Sequence, residues 1–367
     1  MSPLHPNIGE KVSPQRGERA RSAVIAGIGT CLPSRVVRND ELSLTLDTSD
    51  EWIRSRTGIR QRRWVEAGTA TSDLAVWAGI GALRSAAGTA LPEAVILATT
   101  TPDRRCPATA PEVAWRMGLG HVVAFDVGAM CSGFLYALSI AASMITAGNV
   151  RSAVVIGADT YSTIVDPKDR NTAVIFGDGA GAVYLRAGDP DEPGALFATH
   201  LASDGSHHQL ISIAVGGSRQ PEVVASDQRL RYLHMDGRRV FRYAVQRMTE
   251  AVTTVAAESG WKITELEALV AHQANQRILD AVGEELGLAP GKLVSNIGSL
   301  GNTAAASIPL AIADAALGKR VPRDAPTVLT AFGGGLTWGA AALTWPQALP
   351  VATIFPSPST SPGDPDA

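Results

Sequence analysis

The feature that most constrains the fold is the stretch 122–158, in which apolar runs and glycines follow one another in a fixed order. It begins with a run rich in Val, residues 122–127, which predicts a strand buried on both faces. From Ser132 the apolar residues fall at helical spacing, until Gly148 and Asn149 supply a stop signal. Residues 153–157 form a second buried run. The stretch therefore predicts a strand, a tight turn, a helix and a returning strand.

Cys131 lies on the tight turn, directly before the predicted helix. At a helix N-terminus the macrodipole and the unpaired backbone N–H groups favour a thiolate over a thiol, which makes this cysteine a candidate nucleophile. Free cysteine is also among the most buried residue types, and a small core side chain explains Cys131 equally well. Only partners elsewhere in the chain decide between the two interpretations.

Length and composition limit the class of protein. The chain has 367 residues, which predicts two domains or one large duplicated one. Its 45% hydrophobic and 18% charged residues are typical of a soluble globular protein. No apolar run is long enough for a membrane span, no signal-peptide pattern is present, and the net charge of −3 gives no bulk attraction to nucleic acid. We expect a cytoplasmic protein without membrane or nucleic-acid partners.

The cysteines and histidines predict no metal site. Cys31, Cys106 and Cys131 are too widely spaced for a disulfide framework or a zinc pattern. His207 and His208 are adjacent, so they would not share the face of a strand. We expect reduced thiols and no bound metal.

The two ends of the chain are expected to be disordered. Residues 1–21 are polar, and the tail 346–367 is rich in proline and ends in SPSTSPGDPDA, so neither end can build a core. Between them we predict two halves, residues 22–188 and 189–345.

Hydrophobic periodicity predicts alternating strands and helices in both halves. Helices are predicted over residues 71–87, 110–117, 239–259, 276–286 and 303–317. Strands are predicted over residues 23–29, 94–98, 268–271, 292–296 and 327–331. Residues 173–185 have two apolar runs around a Gly/Asp turn, which predicts a hairpin. Thr48 and Glu51 have capping-box spacing for a short helix.

The second half repeats the pattern of the first. EAVILAT matches EALVAHQ, and AVVIGA matches TVLTAF, at nearly constant spacing. In this register Cys131 corresponds to about Asn302, and His272 stands at the end of the strand that matches residues 94–98. Because ligands of α/β sheets gather beyond the carboxyl ends of strands, these three side chains are predicted to converge on one edge.

Trp52 stands among several arginines in the segment DEWIRSRTGIRQRR. Guanidinium groups beside an aromatic ring suit an adenine ring and phosphates, because arginine offers paired donors and a stacking plane. A solvated basic face explains the pattern at least as well.

Seven segments between about residues 22 and 345 match one family in order and spacing. They are DEWIRSRTGI, MCSGFLYAL, VDPKDRNTAVIFGDGAGA, MDGRRVFRYA, AHQANQRI, GNTAAASIPLA and AFGGGLTWGAA. On these segments the chain resembles the β-ketoacyl-acyl carrier protein synthases of type III, the priming condensing enzymes of the thiolase superfamily. The resemblance implies a thiolase-like duplicated α/β fold with five layers, α-β-α-β-α, built on two mixed sheets.

The resemblance implies that Cys131, His272 and Asn302 are the catalytic residues. Cys131 would attack an acyl-CoA thioester and carry the acyl group as a covalent intermediate. Malonyl-carrier protein would then lose CO2, with His272 and Asn302 donating hydrogen bonds to the thioester oxygen where negative charge develops. The backbone N–H groups of Cys131 and Gly334 would form the oxyanion hole for the acyl transfers.

The resemblance also implies the binding residues. Trp52 and Arg170 would lie on the two faces of the CoA adenine, with Arg56 near the phosphates. The pantetheine tunnel would be lined by Gly237, Phe241, Ala274 and Asn275. Arg277 matches a position associated with docking of the carrier protein.

The acyl pocket is implied to contain Phe332 and, across the interface of a homodimer, Cys106. Many members of the family have Phe at the second position, so the smaller Cys106 implies room for a longer, branched or cyclic acyl group. Met130 also departs from the family, because a small residue usually precedes the nucleophile.

Two reactions are consistent with these residues. The first is decarboxylative condensation of an acyl group with malonyl-carrier protein, in fatty acid initiation or polyketide priming. The second is transfer of an acyl group from CoA or a carrier protein to a thiol, hydroxyl or amine, without condensation. Asn302 favours condensation, since simple transfer does not require that donor. Acyl-CoA is expected as a substrate, and no tightly bound cofactor is expected.

Overall fold

A computed structural model describes residues 22–221 and 227–356 of the chain. In this part the strands are β1 (Ser22–Pro33), β2 (Val36–Arg38), β3 (Gln61–Arg63), β4 (Ala94–Ala98), β5 (Val123–Val127), β6 (Ser152–Asp159), β7 (Gly179–Gly188), β8 (Leu196–Ser203), β9 (Ile211–Ser212), β10 (His234–Met235), β11 (Ala268–Ala271), β12 (Leu293–Val294), β13 (Pro326–Gly333), β14 (Thr337–Thr344) and β15 (Val351–Phe355). The helices are α1 (Asn39–Ser43), α2 (Asp50–Thr57), α3 (Thr71–Ser85), α4 (Ala110–Arg116), α5 (Gly133–Thr146), α6 (Gly237–Glu258), α7 (Gln276–Glu285), α8 (Ile297–Leu300) and α9 (Ser307–Leu317). The predicted N-terminal extension, residues 1–21, lies outside the described residues.

Two large mixed sheets repeat one topology. Their strand orders are β15-β1-β7-β6-β4-β5 and β8-β14-β13-β11-β12. In the first sheet β1, β7 and β6 pair antiparallel, and β6, β4 and β5 pair in parallel. In the second sheet β8, β14 and β13 pair antiparallel, and β13, β11 and β12 pair in parallel. The matched runs 94–98 and 268–271 thus occupy equivalent positions, and the predicted duplication is confirmed.

Helices fill the space between the sheets and cover their outer faces. α5 and α9 are apolar around most of their surface, and their side chains, including Phe134, Leu138 and Ile308, pack between the two sheets. α3 and α4 cover the outer face of the first sheet, and α6 and α7 cover that of the second. The predicted five-layered α-β-α-β-α arrangement is therefore confirmed. Among the described residues, no helix combines the length and the apolar character that a membrane crossing requires.

The two halves meet closely at the end of β6. A Cβ built on Gly157 would lie 2.2 Å from the carbonyl oxygen of Ala305, which belongs to the 3-10 helix (Ala304–Ala306) before α9. Two residues further on, the carboxylate of Asp159 accepts a hydrogen bond from the N–H of Ala305 at 2.9 Å. The absence of a side chain at Gly157 therefore allows the second half to lie directly against β6.

The tail differs from its predicted disorder. Residues 346–356 are folded, and Val351–Phe355 forms β15, which pairs in parallel with Gly29–Pro33 of β1. This segment is rich in β-branched and aromatic residues, and β1 would otherwise present an open edge of the sheet. The prolines on either side delimit the strand rather than exclude it. Residues 357–367 lie outside the described residues.

The predicted hairpin over residues 173–185 is also wrong. Only the second run becomes a strand, β7, whereas Phe176 forms an isolated bridge with Asn302. The N–H of Asn302 donates to the carbonyl of Ile175, and the N–H of Gly177 donates to the carbonyl of Asn302, both at 3.0 Å. The first run thus pairs with the second half of the chain instead of with its neighbour in sequence.

Two further elements differ in detail from their predictions. α2 is capped by Ser49, whose hydroxyl accepts a hydrogen bond from the N–H of Trp52, and not by Thr48. β5 was expected to be buried on both faces, but it is the edge strand of its sheet, and Val123 is 46% exposed.

Candidate active site

The three predicted catalytic residues line one cavity of about 580 Å³. Cys131 precedes α5, His272 follows β11, and Asn302 precedes the 3-10 helix before α9. All three are buried, with exposed fractions of 7%, 1% and 5%. The duplicated topology therefore brings a thiol, an imidazole and a carboxamide from both halves to one place.

Cys131 is a protonated thiol in this setting. Burial, and to a smaller extent the carboxylate of Asp159, raise the pKa of Cys131 to about 12. This is opposite to the shift expected from the helix terminus alone. The terminus contributes about 0.3–1 kcal/mol, less than one pKa unit, whereas burial shifts the pKa of a group by up to about 3–5 units. Desolvation therefore decides the resting state of the sulfur.

His272 is oriented by Ser307, a residue that the sequence analysis missed. The hydroxyl of Ser307 lies 2.6 Å from Nδ1 of His272. We assign Ser307 as the donor, because no other acceptor for its hydroxyl lies within hydrogen-bond distance in the described part of the chain; Nε2 then carries the ring proton. Burial lowers the pKa of His272 to about 3, so the ring is neutral. Ser307 is the first residue of α9 and lies inside the predicted helix 303–317, and no sequence pattern indicated its contact with His272.

Asn302 is fixed with its amide nitrogen available to the cavity. Its Oδ1 accepts a hydrogen bond from the N–H of Ala304 at 2.9 Å, and a backbone N–H requires an oxygen at that position. The bridge to Ile175 and Gly177 holds the backbone of Asn302 on both sides. The Nδ2 group is therefore a pre-oriented donor.

The glycines at the end of β13 and directly after it lie against the turn that carries Cys131. A Cβ on Gly333 would lie 2.9 Å from the backbone nitrogen of Cys131, and one on Gly334 would lie 2.2 Å from Sδ of Met130. At Gly333 the two backbones approach too closely for a side chain, whereas at Gly334 a side chain would displace the side chain of Met130. The structure places Gly334 beside the turn, and its part in an oxyanion hole remains a prediction.

A second cavity, of about 450 Å³, adjoins the first. Its lining contains most of the residues predicted for CoA and carrier protein: Trp52, Arg56, Arg170, Gly237, Phe241, Asn275 and Arg277. Four of these, namely Arg56, Gly237, Phe241 and Asn275, also line the inner cavity, together with Ala274. The shared walls make one route from the surface to Cys131.

Asn275 links the walls of this route. It caps α7 by accepting a hydrogen bond from the N–H of Arg277, and its amide donates to the carbonyl of Arg56 at 3.1 Å. The structure thus ties the start of α7 to the end of α2. Arg277 itself is exposed, as a docking residue must be.

Trp52 and Arg170 are neighbours, but no ring fits between them as they stand. The guanidinium carbon of Arg170 lies 5.2 Å from the centre of the Trp52 ring, and Arg170 also bonds to the carbonyl of Asp47 at 2.8 Å. An adenine between the two would need about 7 Å, twice an ordinary contact of roughly 3.5 Å. Binding between these faces therefore requires Arg170 to move outward.

The inner end of the cavity is largely apolar. Phe332, 4% exposed, lies there with Met130, Phe176 and Tyr161. Cys106 does not line this cavity; it is exposed on the loop between β4 and α4. A single copy of the chain therefore does not bring Cys106 to the acyl end of the site.

Two family models match the chain. The one described as 3-oxoacyl-[acyl-carrier-protein (ACP)] synthase III matches residues 125–205, and its C-terminal counterpart matches residues 256–345. Beta-ketoacyl-[acyl-carrier-protein] synthase III 2 of Streptomyces coelicolor is 55% identical over 340 residues, covering 93% of this chain and 98% of that protein. The corresponding synthase III of Pseudomonas aeruginosa is 49% identical over 332 residues, covering 90% and 98%.

Solved structures agree with this assignment. The 3-oxoacyl-(acyl carrier protein) synthase III of Pseudomonas aeruginosa PAO1 superposes with a TM-score of 0.83 at 47% identity, covering 90% of this chain and all 100% of that one. The priming β-ketosynthase of the R1128 polyketide pathway gives 0.84 at 31% identity, covering 92% and 100%. These neighbours confirm the thiolase-like fold. The chain belongs to the family of β-ketoacyl-acyl carrier protein synthases of type III.

Proposed function

We propose that this protein condenses an acyl group from acyl-CoA with malonyl-acyl carrier protein, giving 3-oxoacyl-carrier protein, CO2 and CoA. The observation that carries the proposal is the pair of fixed donors, Nε2 of His272 and Nδ2 of Asn302, which line one cavity with the thiol of Cys131. A nucleophile alone would serve any acyl transfer. Two oriented donors beside it suit a reaction that forms an enolate.

The first half-reaction loads the enzyme. The sulfur of Cys131 forms a bond to the acyl carbon, the bond from that carbon to the CoA sulfur breaks, and the thiol proton ends on CoA. The N–H groups of Cys131 and Gly334 are proposed to hold the oxyanion. Acyl-CoA is consumed as a substrate, and no tightly bound cofactor is needed for either half-reaction.

The second half-reaction forms the carbon–carbon bond. The malonyl carboxylate leaves as CO2, and its electron pair forms an enolate whose oxygen accepts hydrogen bonds from His272 and Asn302. The enolate carbon attacks the acyl carbon, the bond to the Cys131 sulfur breaks, and a proton from solvent restores the thiol. A neutral His272 suits this role, because it donates a hydrogen bond without needing to become a cation.

The residues along the route from the surface to Cys131 support acyl-CoA and the carrier protein as partners. Trp52, Arg56 and Arg170 at its outer end are proposed to hold the adenine and phosphates of CoA, and the exposed Arg277 is proposed to contact the carrier protein. We also propose that the protein acts in the cytoplasm, because the free thiol of Cys131 requires a reducing compartment.

The edge of the first sheet supports a homodimer. Within residues 22–221 and 227–356, no strand pairs with the outer side of β5; Val123 on this strand and Trp115 on the adjoining α4 are 46% and 73% exposed. An apolar edge strand is a template for pairing with another chain. A second copy across this edge is proposed to carry its own Cys106 loop toward the acyl pocket.

Replacing Cys106 with phenylalanine is expected to narrow the range of acyl donors. A larger side chain would shorten the pocket, so kcat/KM for long or branched acyl-CoAs should fall roughly tenfold or more while acetyl-CoA is nearly unaffected. Kinetics across a panel of acyl-CoAs measure this. Cys106→Ser keeps the volume and is the matched control. An unchanged donor profile in the Phe variant would refute the role of Cys106.

The proposed function is tested by two measurements on the intact protein. Intact mass after incubation with a panel of acyl-CoAs should show one acyl adduct, located on Cys131 by peptide mapping. The acylated enzyme should then release CO2 from malonyl-carrier protein. Absence of any adduct refutes enzymatic acylation, and an adduct without CO2 release identifies simple acyl transfer instead.

A further inference from the structure

Among the residues that line the inner cavity with Cys131, Tyr161 is the one tyrosine. It opens a short 3-10 helix (Tyr161–Thr163) just after β6. Its ring is fully buried and stacks on Phe176, with centroids 4.7 Å apart and an angle of 26° between the planes. Packing alone would be served equally by phenylalanine at this position, so the hydroxyl needs another explanation.

The hydroxyl of Tyr161 has no hydrogen-bond partner in the described part of the chain, although its oxygen is shielded from solvent. A buried polar group without a partner is unfavourable, and each such group in a native protein calls for a functional or structural reason. Thr100 Oγ1 is a neighbouring hydroxyl that lowers the pKa of Tyr161, but it too makes no hydrogen bond of ordinary geometry. Neither the stacking on Phe176 nor the nearby Thr100 therefore gives the hydroxyl of Tyr161 a well-formed hydrogen bond.

The sulfur of Cys131 offers an explanation for the unpaired hydroxyl of Tyr161. Tyr161 and Cys131 lie close enough to influence each other's charge. Burial is the main cause that raises the pKa of both groups; beyond it, a charge on Cys131 raises the pKa of Tyr161 further, and a hydrogen bond donated by Tyr161 would lower the pKa of Cys131. A neutral thiol is a weak acceptor, whereas a thiolate is a strong one. A hydroxyl close to the sulfur would thus form only a weak hydrogen bond in the resting enzyme, and a strong one when the sulfur becomes negative.

Resting on the proposed function, we propose that the hydroxyl of Tyr161 donates a hydrogen bond to Sγ of Cys131 whenever the reaction places negative charge on that sulfur. This occurs twice. In loading, the sulfur gains charge as its proton departs and the bond to the acyl carbon forms. In condensation, the sulfur takes the electron pair of the breaking carbon–sulfur bond before solvent protonates it.

Tyr161 offsets an unfavourable environment. Burial and the nearby Asp159 both disfavour a negative sulfur, and Asp159 itself is fully buried. The other titratable residues that line this cavity are Arg56, Asp169, His234, Arg238 and His272, and of these His272 is neutral because burial lowers its pKa to about 3. Two groups act in the opposite direction and lower the pKa of the thiol: the backbone of Cys131 itself and the hydroxyl of Tyr161.

The test is the rate of alkylation of Cys131 by iodoacetamide as a function of pH, which needs no acyl-CoA. In Tyr161→Phe the rate at pH 8 should fall about tenfold, the effect of one pKa unit on the thiol. Peptide mapping separates Cys131 from the exposed Cys106, whose rate is the internal control. Tyr136→Phe is the matched variant: Tyr136 lies on α5 and donates to the carbonyl of Ala202 at 2.8 Å, so its loss should leave Cys131 unchanged.

Thermal unfolding separates this role from a structural one. Loss of an unpartnered hydroxyl should leave the Tm of Tyr161→Phe equal to or above that of the native protein. A lower Tm with an unchanged alkylation profile would show that Tyr161 bonds to Thr100 or another protein group, and would overturn the proposal. Failure of every acyl-CoA to load the native enzyme would instead overturn the proposed function and leave the alkylation result intact.

Discussion

Replacing Cys131 with alanine is expected to abolish the acyl adduct and to lower the condensation rate by at least about 10³-fold, as loss of a catalytic nucleophile does. No other thiol of the same chain can substitute, because Cys31 is buried against the outer helices of the first sheet and Cys106 does not line the cavity of its own chain. Intact-mass measurement with the best acyl-CoA donor and a product assay with malonyl-carrier protein check the two parts of this expectation.

Cys106→Ala is the matched control for that variant. It removes the exposed thiol and should keep the adduct on Cys131 at full yield. An adduct of the same mass on Cys131→Ala would mean that another side chain is the nucleophile. In that case the buried thiol would be the core residue that the sequence left as an alternative.

Replacing His272 or Asn302 with alanine is expected to separate the two half-reactions. Each substitution removes one of the two donors proposed for the enolate oxygen, which should lower the rate of CO2 release by about 10²–10³-fold. The acyl adduct on Cys131 should still form, since loading requires only the thiol and the oxyanion hole. Pre-steady-state loading followed by a decarboxylation assay measures the two steps on the same sample.

Asn302→Asp sharpens this test. Aspartate has nearly the same shape, but it places an acceptor, and at neutral pH a charge, where negative charge develops. Its CO2 release should be no faster than that of Asn302→Ala, and retained loading would show that the site is folded. Equal losses in loading and decarboxylation for all three variants would contradict the assigned roles.

The sequence predicted those parts of the fold that depend on local pattern. Strands 94–98 and 268–271 were found because both are short, fully apolar runs, and the register between them placed Cys131, His272 and Asn302 at one edge. The missed features depend on distant partners. Ile175 pairs with Asn302, and β15 pairs with β1, and neither contact leaves a trace in the periodicity of either segment.

The sequence allowed the residue types of the site to be predicted, but not their protonation states. The residue types indicated a nucleophile and two donors. The raised pKa of Cys131 and the lowered pKa of His272 follow from burial, which a turn sequence does not show. Ser307 and Tyr161 were missed for the same reason, because each acts through a neighbour that only the folded chain brings within reach.

The central helical layer determines whether one repeat of this chain could fold without the other. α5 comes from one half and α9 from the other, and their side chains share a single core with both sheets. Each half alone would expose one apolar face of its sheet to water. The two repeats therefore resemble each other as topologies, yet we expect neither to be an autonomous folding unit, and an ancestor with one repeat would have needed a second copy of itself to bury that face.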